Sequence, residues 1–520
     1  MRVRSCCASV LRVFLVACAA SAGNLRASSS AGFSQIYFVI LSEQASPRSH
    51  AQAEQLSAHL RDGGVAPTSI RMMHAEEPPH REEYQHSHGY WTIVPYLPIL
   101  HEAGKATGAV WFVFLHPTTA VSVRHLRATL AQRQHDRSWF LGHALHDVSG
   151  SIAHEYNTEL AYPLDRAGYA LSASLLGSLA SWLKAQGEEG AGRDFHIDAT
   201  WAFARFVHDR TKDGPSGAVV ITDEPAFCGA GGGRGAGASA SASARATPEP
   251  IDPTRCATQA RRELVSSWTR KAIPPSDVVI AVKTTKLFHA SRLSVLKKTW
   301  VRDVPHGMEV VYMSETEDPS VPTIDLTKEW PGLLKPNTET PTGHCAKCHA
   351  LLKTLHKRWG GKQWYVVVDD DTMLSPKRLL ELLSTYDNGR EVAAYVGQRY
   401  AYAHTGSPSP QGADYVTMGG GAAFSGAMLS KLMACKECYC PTPNQPDDMR
   451  IGSWVDVELA LPIAHEDAFH QAEMNNYHPE LLGVQNIVSY HKFAGLSDAQ
   501  AGRSRWLLSQ SKTGAAGHEL

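Results

Sequence analysis

The chain has 520 residues, enough for two or three domains, and its 43% hydrophobic content is ordinary for soluble globular protein. Fifty Lys and Arg residues nearly cancel 51 Asp and Glu residues, so no global field favours nucleic acid or an anionic membrane surface. At the amino terminus, Arg2 and Arg4, an apolar stretch from Val13 to Ala20 and the small-x-small sequence Ala20-Ser21-Ala22 read as a secretory signal over residues 1–22. That stretch is far short of the ~20 residues that cross a bilayer, and no later segment is long enough, so no membrane span is expected.

Ile36 to Leu41 is a buried-strand candidate, and Ala53 to Leu60 follows with helical spacing, which begins an α/β unit. Trp111-Phe112-Val113-Phe114-Leu115 is a second apolar run, ended by His116-Pro117-Thr118-Thr119. A constant offset of 253 relates it to a later stretch: Trp111 falls on Trp364, Thr119 on Thr372, Leu126 on Leu379, Leu130 on Leu383, Tyr162 on Tyr415, Gly168 on Gly421 and Ser172 on Ser425. Such a fixed offset predicts two copies of one domain, over residues 33–222 and 276–500. Between them, residues 223–275 contain a Gly/Ala/Ser tract, Gly229 to Pro250, that buries no core and reads as a linker.

The second copy restarts the pattern with Val278-Val279-Ile280-Ala281-Val282, the polar turn Lys283-Thr284-Thr285 and a basic helix from Arg292 to Trp300, a plausible nucleotide pocket. Trp364-Tyr365-Val366-Val367-Val368 then reads as a strand covered on both faces that stops on Asp369-Asp370-Asp371. Ser375-Pro376 caps the following helix, whose apolar face is Leu379, Leu380, Leu382 and Leu383. Three adjacent carboxylates repel one another, and a divalent cation most readily offsets that cost; a solvated acidic turn is the bland alternative. The first copy has no such acids. Further on, Gly419-Gly420-Gly421 precedes a helix that starts near Ser425, Pro446-Asp447-Asp448-Met449 opens a helix from Arg450 to Leu461, and Val488-Ser489-Tyr490-His491 places a histidine at a strand end. Capping by the two acids, a simple turn for the glycines and a structural role for the histidine are the competing readings.

Seven cysteines follow the leader: Cys228, Cys256, Cys345, Cys348, Cys435, Cys438 and Cys440. In an oxidising lumen disulfides rank above zinc for these spacings, and the odd number leaves at least one thiol free or paired outside the chain. Residues 501–520 form a tail whose Gly517-His518-Glu519-Leu520 shares the Glu-Leu ending of retrieval signals, so the expected location is the endoplasmic reticulum lumen.

In combination, Lys283-Thr284 with Arg292 and Trp300, Gly343-His344-Cys345, Asp369-Asp370-Asp371, Gly419-Gly420-Gly421, Pro446-Asp447-Asp448-Met449 and Ser489-Tyr490-His491-Lys492 resemble the Fringe-like glycosyltransferases of family 31. The two-copy layout, Trp91-Thr92-Ile93-Val94-Pro95, the segment Trp139 to Asp147 and the Glu-Leu ending look like the branch of that family that adds β-1,3-linked glucose to O-linked fucose on thrombospondin type 1 repeats. The resemblance implies an α/β architecture of two tandem GT-A-like, Rossmann-like domains, the second catalytic. It implies a UDP-sugar donor, Mn2+, O-fucosylated thrombospondin type 1 repeat proteins as acceptors, and inversion at the sugar carbon. Carried over by position, Asp371 and His491 would hold the metal, with His470 as the alternative histidine. Thr284, Arg292, Asp369, Asp370, Gly420 and Gly421 would bind the donor, and Asp448 would be the catalytic base. Cys348 and Cys435 match nothing in the family pattern and could pair with each other. A GlcNAc or galactosyl transferase, or a non-catalytic lumenal chaperone or lectin, are the alternatives.

Overall fold

The computed structural model describes residues 35–76, 93–186, 197–214, 217–230, 251, 254–334, 344–402 and 413–493. The leader, Trp91-Thr92, Gly343, most of the Gly/Ala/Ser tract and the tail lie outside them.

Two mixed sheets dominate. The first contains β1 (Ile36–Ile40), β2 (Ile70–Met72), β3 (Trp111–Leu115), β4 (Phe140–Gly142), β5 (Tyr169–Ser172) and β6 (Thr222–Asp223), ordered β2-β1-β3-β5-β4-β6. The second contains β7 (Val278–Lys283), β8 (Glu309–Ser314), β9 (Thr323–Asp325), β10 (Trp364–Asp369), β11 (Tyr395–Gly397), β12 (Ala422–Ser425) and β13 (Ala464–His465), ordered β9-β8-β7-β10-β12-β11-β13. Apart from the extra edge strand β9, strand order and direction are the same. In each, two parallel pairs flank the central strand's amino-terminal partner, the returning strand runs antiparallel, and the last pair is parallel.

The offset of 253 is visible in register. Trp111 pairs with Ser172 and Trp364 with Ser425. Helices Val123–Leu130 and Pro376–Leu383 begin at caps Ser122 and Ser375, whose hydroxyls accept from His125 N–H and Arg378 N–H. A small sheet beside each main one repeats as well. Ala120–Val121 pairs antiparallel with Thr258–Gln259, which runs parallel to Phe227–Cys228; Met373–Leu374 pairs antiparallel with Ser489–Tyr490, which runs parallel to Phe469–His470. Continuous apolar runs become central strands because both faces are covered: β3 and the first five residues of β10 are wholly buried.

Three expectations need correction. Residues 223–275 are not linker throughout, since Phe227–Cys228 and Thr258–Gln259 are buried strands and Cys228 is bonded to Cys256. Their two-residue length gives no periodicity, and the neighbouring Gly/Ala/Ser composition dominated the reading. The helix after Pro446 spans Asp447–Ser453, continuing as a π-helix over Trp454–Glu458, so both aspartates lie within its first turn and it ends before Leu461. Cys348 and Cys435 are not paired. Cys435 bonds Cys438, Cys345 bonds Cys440, and Cys348 is the buried free thiol. Cys345 and Cys348 sit one helical turn apart on His344–Trp359, and it is Cys345, in the first turn, that is bonded to Cys440.

Buried ion pairs join the two sheets' neighbourhoods. Arg48 reaches Glu263 at 2.6 Å and Glu466 at 2.7 Å, and Arg166 reaches Asp467 at 2.7 Å. Among the described residues, no helix is long and apolar enough to cross a membrane.

Candidate active site

The carboxyl ends of β7 and β10 are neighbours because the strands pair in parallel, with Lys283 opposite Asp369. That places the polar turn after β7 beside the acidic turn after β10, at the edge where open α/β sheets bind ligands. Asp369, Asp371 and His491 each offer one ligand atom within 4.8 Å of the others. His491 Nε2 lies 3.0 Å from Asp371 Oδ1 and 3.8 Å from Asp369 Oδ2. It arrives there because Ser489–Tyr490 pairs with Met373–Leu374, immediately after the acidic turn.

Burial alone would raise the Asp371 carboxyl, but its hydrogen bond to His491 and the nearby Arg292 guanidinium hold it below the ordinary value. Burial would lower His491, and the two carboxylates raise it instead. Two hard carboxylate oxygens and one imidazole nitrogen suit a divalent cation such as Mn2+, which would take the place of the shared proton. Asp369 Oδ1 lies 3.0 Å from the Lys283 ammonium, which leaves Oδ2 as the oxygen towards His491. Asp369 thus stands with Asp371 and His491 rather than with Asp370.

Asp370 turns the other way. It accepts from Thr284 Oγ1 at 2.7 Å and from Arg292 Nη1 at 2.7 Å, and the same Nη1 lies 3.0 Å from Asp371. Burial nevertheless leaves the Asp370 carboxyl above its usual range. Arg292 is further fixed over the Phe288 ring, 3.7 Å from its centroid. Thr284, Arg292 and Asp370 therefore form one connected patch, which Arg292 joins to Asp371.

The glycine turn lies directly behind the histidine. A Cβ at Gly419 would collide with the His491 ring, one at Gly420 would sit 3.1 Å from the His470 carbonyl carbon, and Gly421 has φ +106°. Gly420 N–H donates to Gln471 Oε1 at 2.8 Å, so Gly420 and Gly421 pack against the strand that carries His470. His470 itself is buried, with its ring nitrogens 3.2 Å from the Ser489 carbonyl and 2.9 Å from the Gln485 amide oxygen. It is not gathered into the Asp369, Asp371 and His491 cluster.

Asp447 and Asp448 open a helix on the other side of Lys283. The buried Lys283 ammonium lies 3.0 Å from Asp369 Oδ1 and hydrogen-bonds Asp447 Oδ2. Burial would lower that lysine, yet the two carboxylates keep it well above its usual value. The ammonium in turn holds Asp447 below the ordinary carboxylate range against its burial. Asp448 has no such partner. Burial, together with the neighbouring Asp447 charge, pushes its carboxyl up to about 7, while Met449 N–H donates to its Oδ1 at 2.8 Å. A partly exposed carboxyl pushed up to about 7, one residue from the Asp447–Lys283–Asp369 chain, is suited to accept a proton. This helix is tied down by the Cys345–Cys440 disulfide and by Cys345 N–H donating to the Gln445 carbonyl at 3.0 Å.

Sequence reasoning placed Lys283 only in the polar turn of a nucleotide pocket, although a lysine ending a run of five buried apolar residues already requires a carboxylate partner. It also passed over Glu315 and Lys347, which are 2.6 Å apart; burial opposes ionisation of Glu315, but Lys347 lowers its carboxyl to about 2. These two brace the Thr284-Thr285 turn through Thr285 Oγ1 and the Thr284 carbonyl. At the matching edge of the first sheet, register puts His116, Thr118 and Ala260 where the second has Asp369, Asp371 and His491.

Residues 273–502 match the Fringe-like family model. The chain is 34% identical over 411 residues to a human Beta-1,3-glucosyltransferase, covering 78% of this chain and 72% of that protein. The mouse Beta-1,3-glucosyltransferase is equally similar, with 78% and 73% covered. A human Beta-1,3-N-acetylglucosaminyltransferase lunatic fringe is 28% identical over 212 residues, 38% of this chain and 54% of that one. With its mixed sheets, its acidic strand end and a relative matched over most of both lengths, this chain belongs to the Fringe-like glycosyltransferases, as a β-1,3-glycosyltransferase of mixed α/β fold.

Proposed function

We propose that this enzyme is an inverting, Mn2+-dependent transferase that moves glucose from UDP-glucose to the 3-OH of O-linked fucose on thrombospondin type 1 repeat proteins, in the lumen of the endoplasmic reticulum. The observation that carries the reading is the cluster of Asp369, Asp371 and His491 at a buried strand end, with Asp447, the neighbour of Asp448, across Lys283 from it. The glucosyl assignment is supported by the names of the relatives matched over most of their length. Three disulfides fit an oxidising lumen.

When bound, the cation would neutralise the diphosphate of the departing nucleotide. Asp369, Asp371 and His491 would hold it, and Thr284, Arg292 and Asp370 line the adjoining donor side. Asp448 takes the proton of the acceptor hydroxyl as its oxygen attacks the anomeric carbon. The new C–O bond forms while the sugar–phosphate bond breaks, and the electron pair leaves with UDP. One displacement inverts the centre without an enzyme nucleophile. The first half, unable to assemble this ligand set, serves docking of the catalytic half or recognition of the folded acceptor.

Release of UDP from UDP-glucose, UDP-GlcNAc and UDP-galactose, with a fucosylated repeat as acceptor, tests the reading. Acceptor-dependent release from UDP-glucose above the other two is expected; preference for UDP-GlcNAc would favour the Fringe activity, and no release from any donor would favour a lectin or chaperone.

A further inference from the structure

A cavity of about 220 Å³ lies where the two halves meet, lined by Arg48, Tyr162, Arg166, Asp198 and Tyr477 among others. None of Asp369, Asp371, Asp448 or His491 belongs to its wall. It opens at the carboxyl ends of β1 and β3, whose following residues Leu41, Glu43 and His116 line it. By strand order this is the first sheet's counterpart of the active site.

The lining rules on ligand chemistry. Arg48 is neutralised by Glu263 and Glu466, and Arg166 by Asp467 at 2.7 Å with Glu263 at 3.8 Å, so two guanidiniums face three carboxylates. His154 stands between Asp147 at 2.6 Å and Asp198 at 3.5 Å. A phosphate entering here would meet no uncompensated cation and would be repelled by the surplus carboxylates. No cation screens it, because the positions of the metal ligands are His116, Thr118 and Ala260. One buried polar atom nonetheless lacks a partner among the described residues: Arg166 is 1% exposed and its Nε makes no hydrogen bond. Asp198 Oδ1 is taken by Thr200 and Trp201 N–H groups, and its partly exposed Oδ2 lies 3.5 Å from His154 Nε2.

An unmet guanidinium N–H beside carboxylates already engaged by cations favours a neutral ligand with hydroxyl oxygens, and tyrosine rings in the same wall suit a partly apolar ring face. The volume is below the ~300–1,000 Å³ typical for larger ligands, which favours one sugar ring over a nucleotide sugar. We propose that this cavity is a second, metal-independent binding site for a single neutral sugar ring, separate from the catalytic centre. The fold keeps the ligand edge of the duplicated sheet and replaces cation-and-diphosphate chemistry with hydroxyl recognition.

Saturation-transfer NMR on the full chain, in EDTA and without nucleotide, tests this with D-glucose, L-fucose and N-acetylglucosamine, each alone. At least one should bind saturably, and inorganic phosphate should not displace it. Asp371→Ala should retain the signal. Asp198→Asn, which preserves the helix cap, should weaken binding ~10-fold or more, and Ala199→Leu, which fills the cavity, should abolish it. The proposal is overturned if no sugar binds, if binding requires Mn2+ or is lost in Asp371→Ala, or if phosphate competes. It is equally overturned if both cavity variants, shown by unchanged melting to be folded, bind as the wild type does. Because neither metal nor donor is present, failure here leaves the transferase reading standing, and the reverse also holds.

Discussion

Replacing Asp448 by Asn removes the proton acceptor while retaining the side chain's size and its bond from Met449 N–H. Loss of a positioned base costs ~100-fold or more in turnover. Wild-type kcat/KM carries a second signature, since a base titrating at about 7 is roughly one-tenth ionised at pH 6 and nine-tenths at pH 8. Activity should rise ~10-fold over that interval through this group, and the rise should vanish in Asp448→Asn. Stability should move the opposite way. A carboxyl whose folded pKa lies above its unfolded value weakens the fold as pH climbs from about 4 through about 7, so the variant should be more stable than wild type at pH 8. The assay is UDP release across pH with Mn2+ and donor saturating and acceptor held well below its KM, beside thermal melts in the same buffers. Undiminished turnover in a folded Asp448→Asn with normal donor affinity would refute the assignment. Attention would then pass to Asp447, despite its tie to Lys283.

Asp371→Ala should abolish transfer and the Mn2+-dependent part of UDP affinity; unchanged affinity by calorimetry would remove Asp371 from the ligand set. His491→Ala should weaken Mn2+ at least ~10-fold, whereas His470→Ala should lower stability and leave the metal response intact, so the opposite pattern in a Mn2+ titration would restore His470 as the ligand. The whole chain should bind one Mn2+ and not two, with none in Asp371→Ala, because the first sheet offers His116, Thr118 and Ala260; a second equivalent that survives Asp371→Ala would contradict this. Arg166→Met should cost ~3–5 kcal/mol in urea unfolding, because it strands the Asp467 carboxylate at the junction of the halves, and a loss under ~1 kcal/mol would show that junction to be well solvated.

Much of this could be read from residue patterns. The strand from Trp364, its acidic end, the capped helix at Ser375 and the histidine after Tyr490 all follow from local rules of burial and capping, and the structure has them in place. The constant offset foretold matching registers 253 residues apart. What stayed hidden was non-local. No pattern along the chain says that Lys283 is shared between Asp369 and Asp447, or that Arg48 and Arg166 cross to Glu466 and Asp467. Two-residue strands such as Phe227–Cys228 leave no periodic trace, and composition next to a Gly/Ala/Ser tract then misleads. Cysteine partners likewise depend on which helix face meets which loop, and spacing carries no such information.

The Cys345–Cys440 bond has a consequence for the compartment in which the enzyme works. It staples the segment carrying Asp448 to a helix 95 residues earlier in the chain, while no sulfur holds Asp369, Asp371 or His491 in place. A covalent tie of that span removes ~4–5 kcal/mol of chain freedom from the unfolded state. The two sides of the reaction therefore differ in redox sensitivity. A mild reductant should leave the proposed donor edge intact and loosen the proposed base, so that the enzyme still takes up a donor but no longer transfers from it to an acceptor.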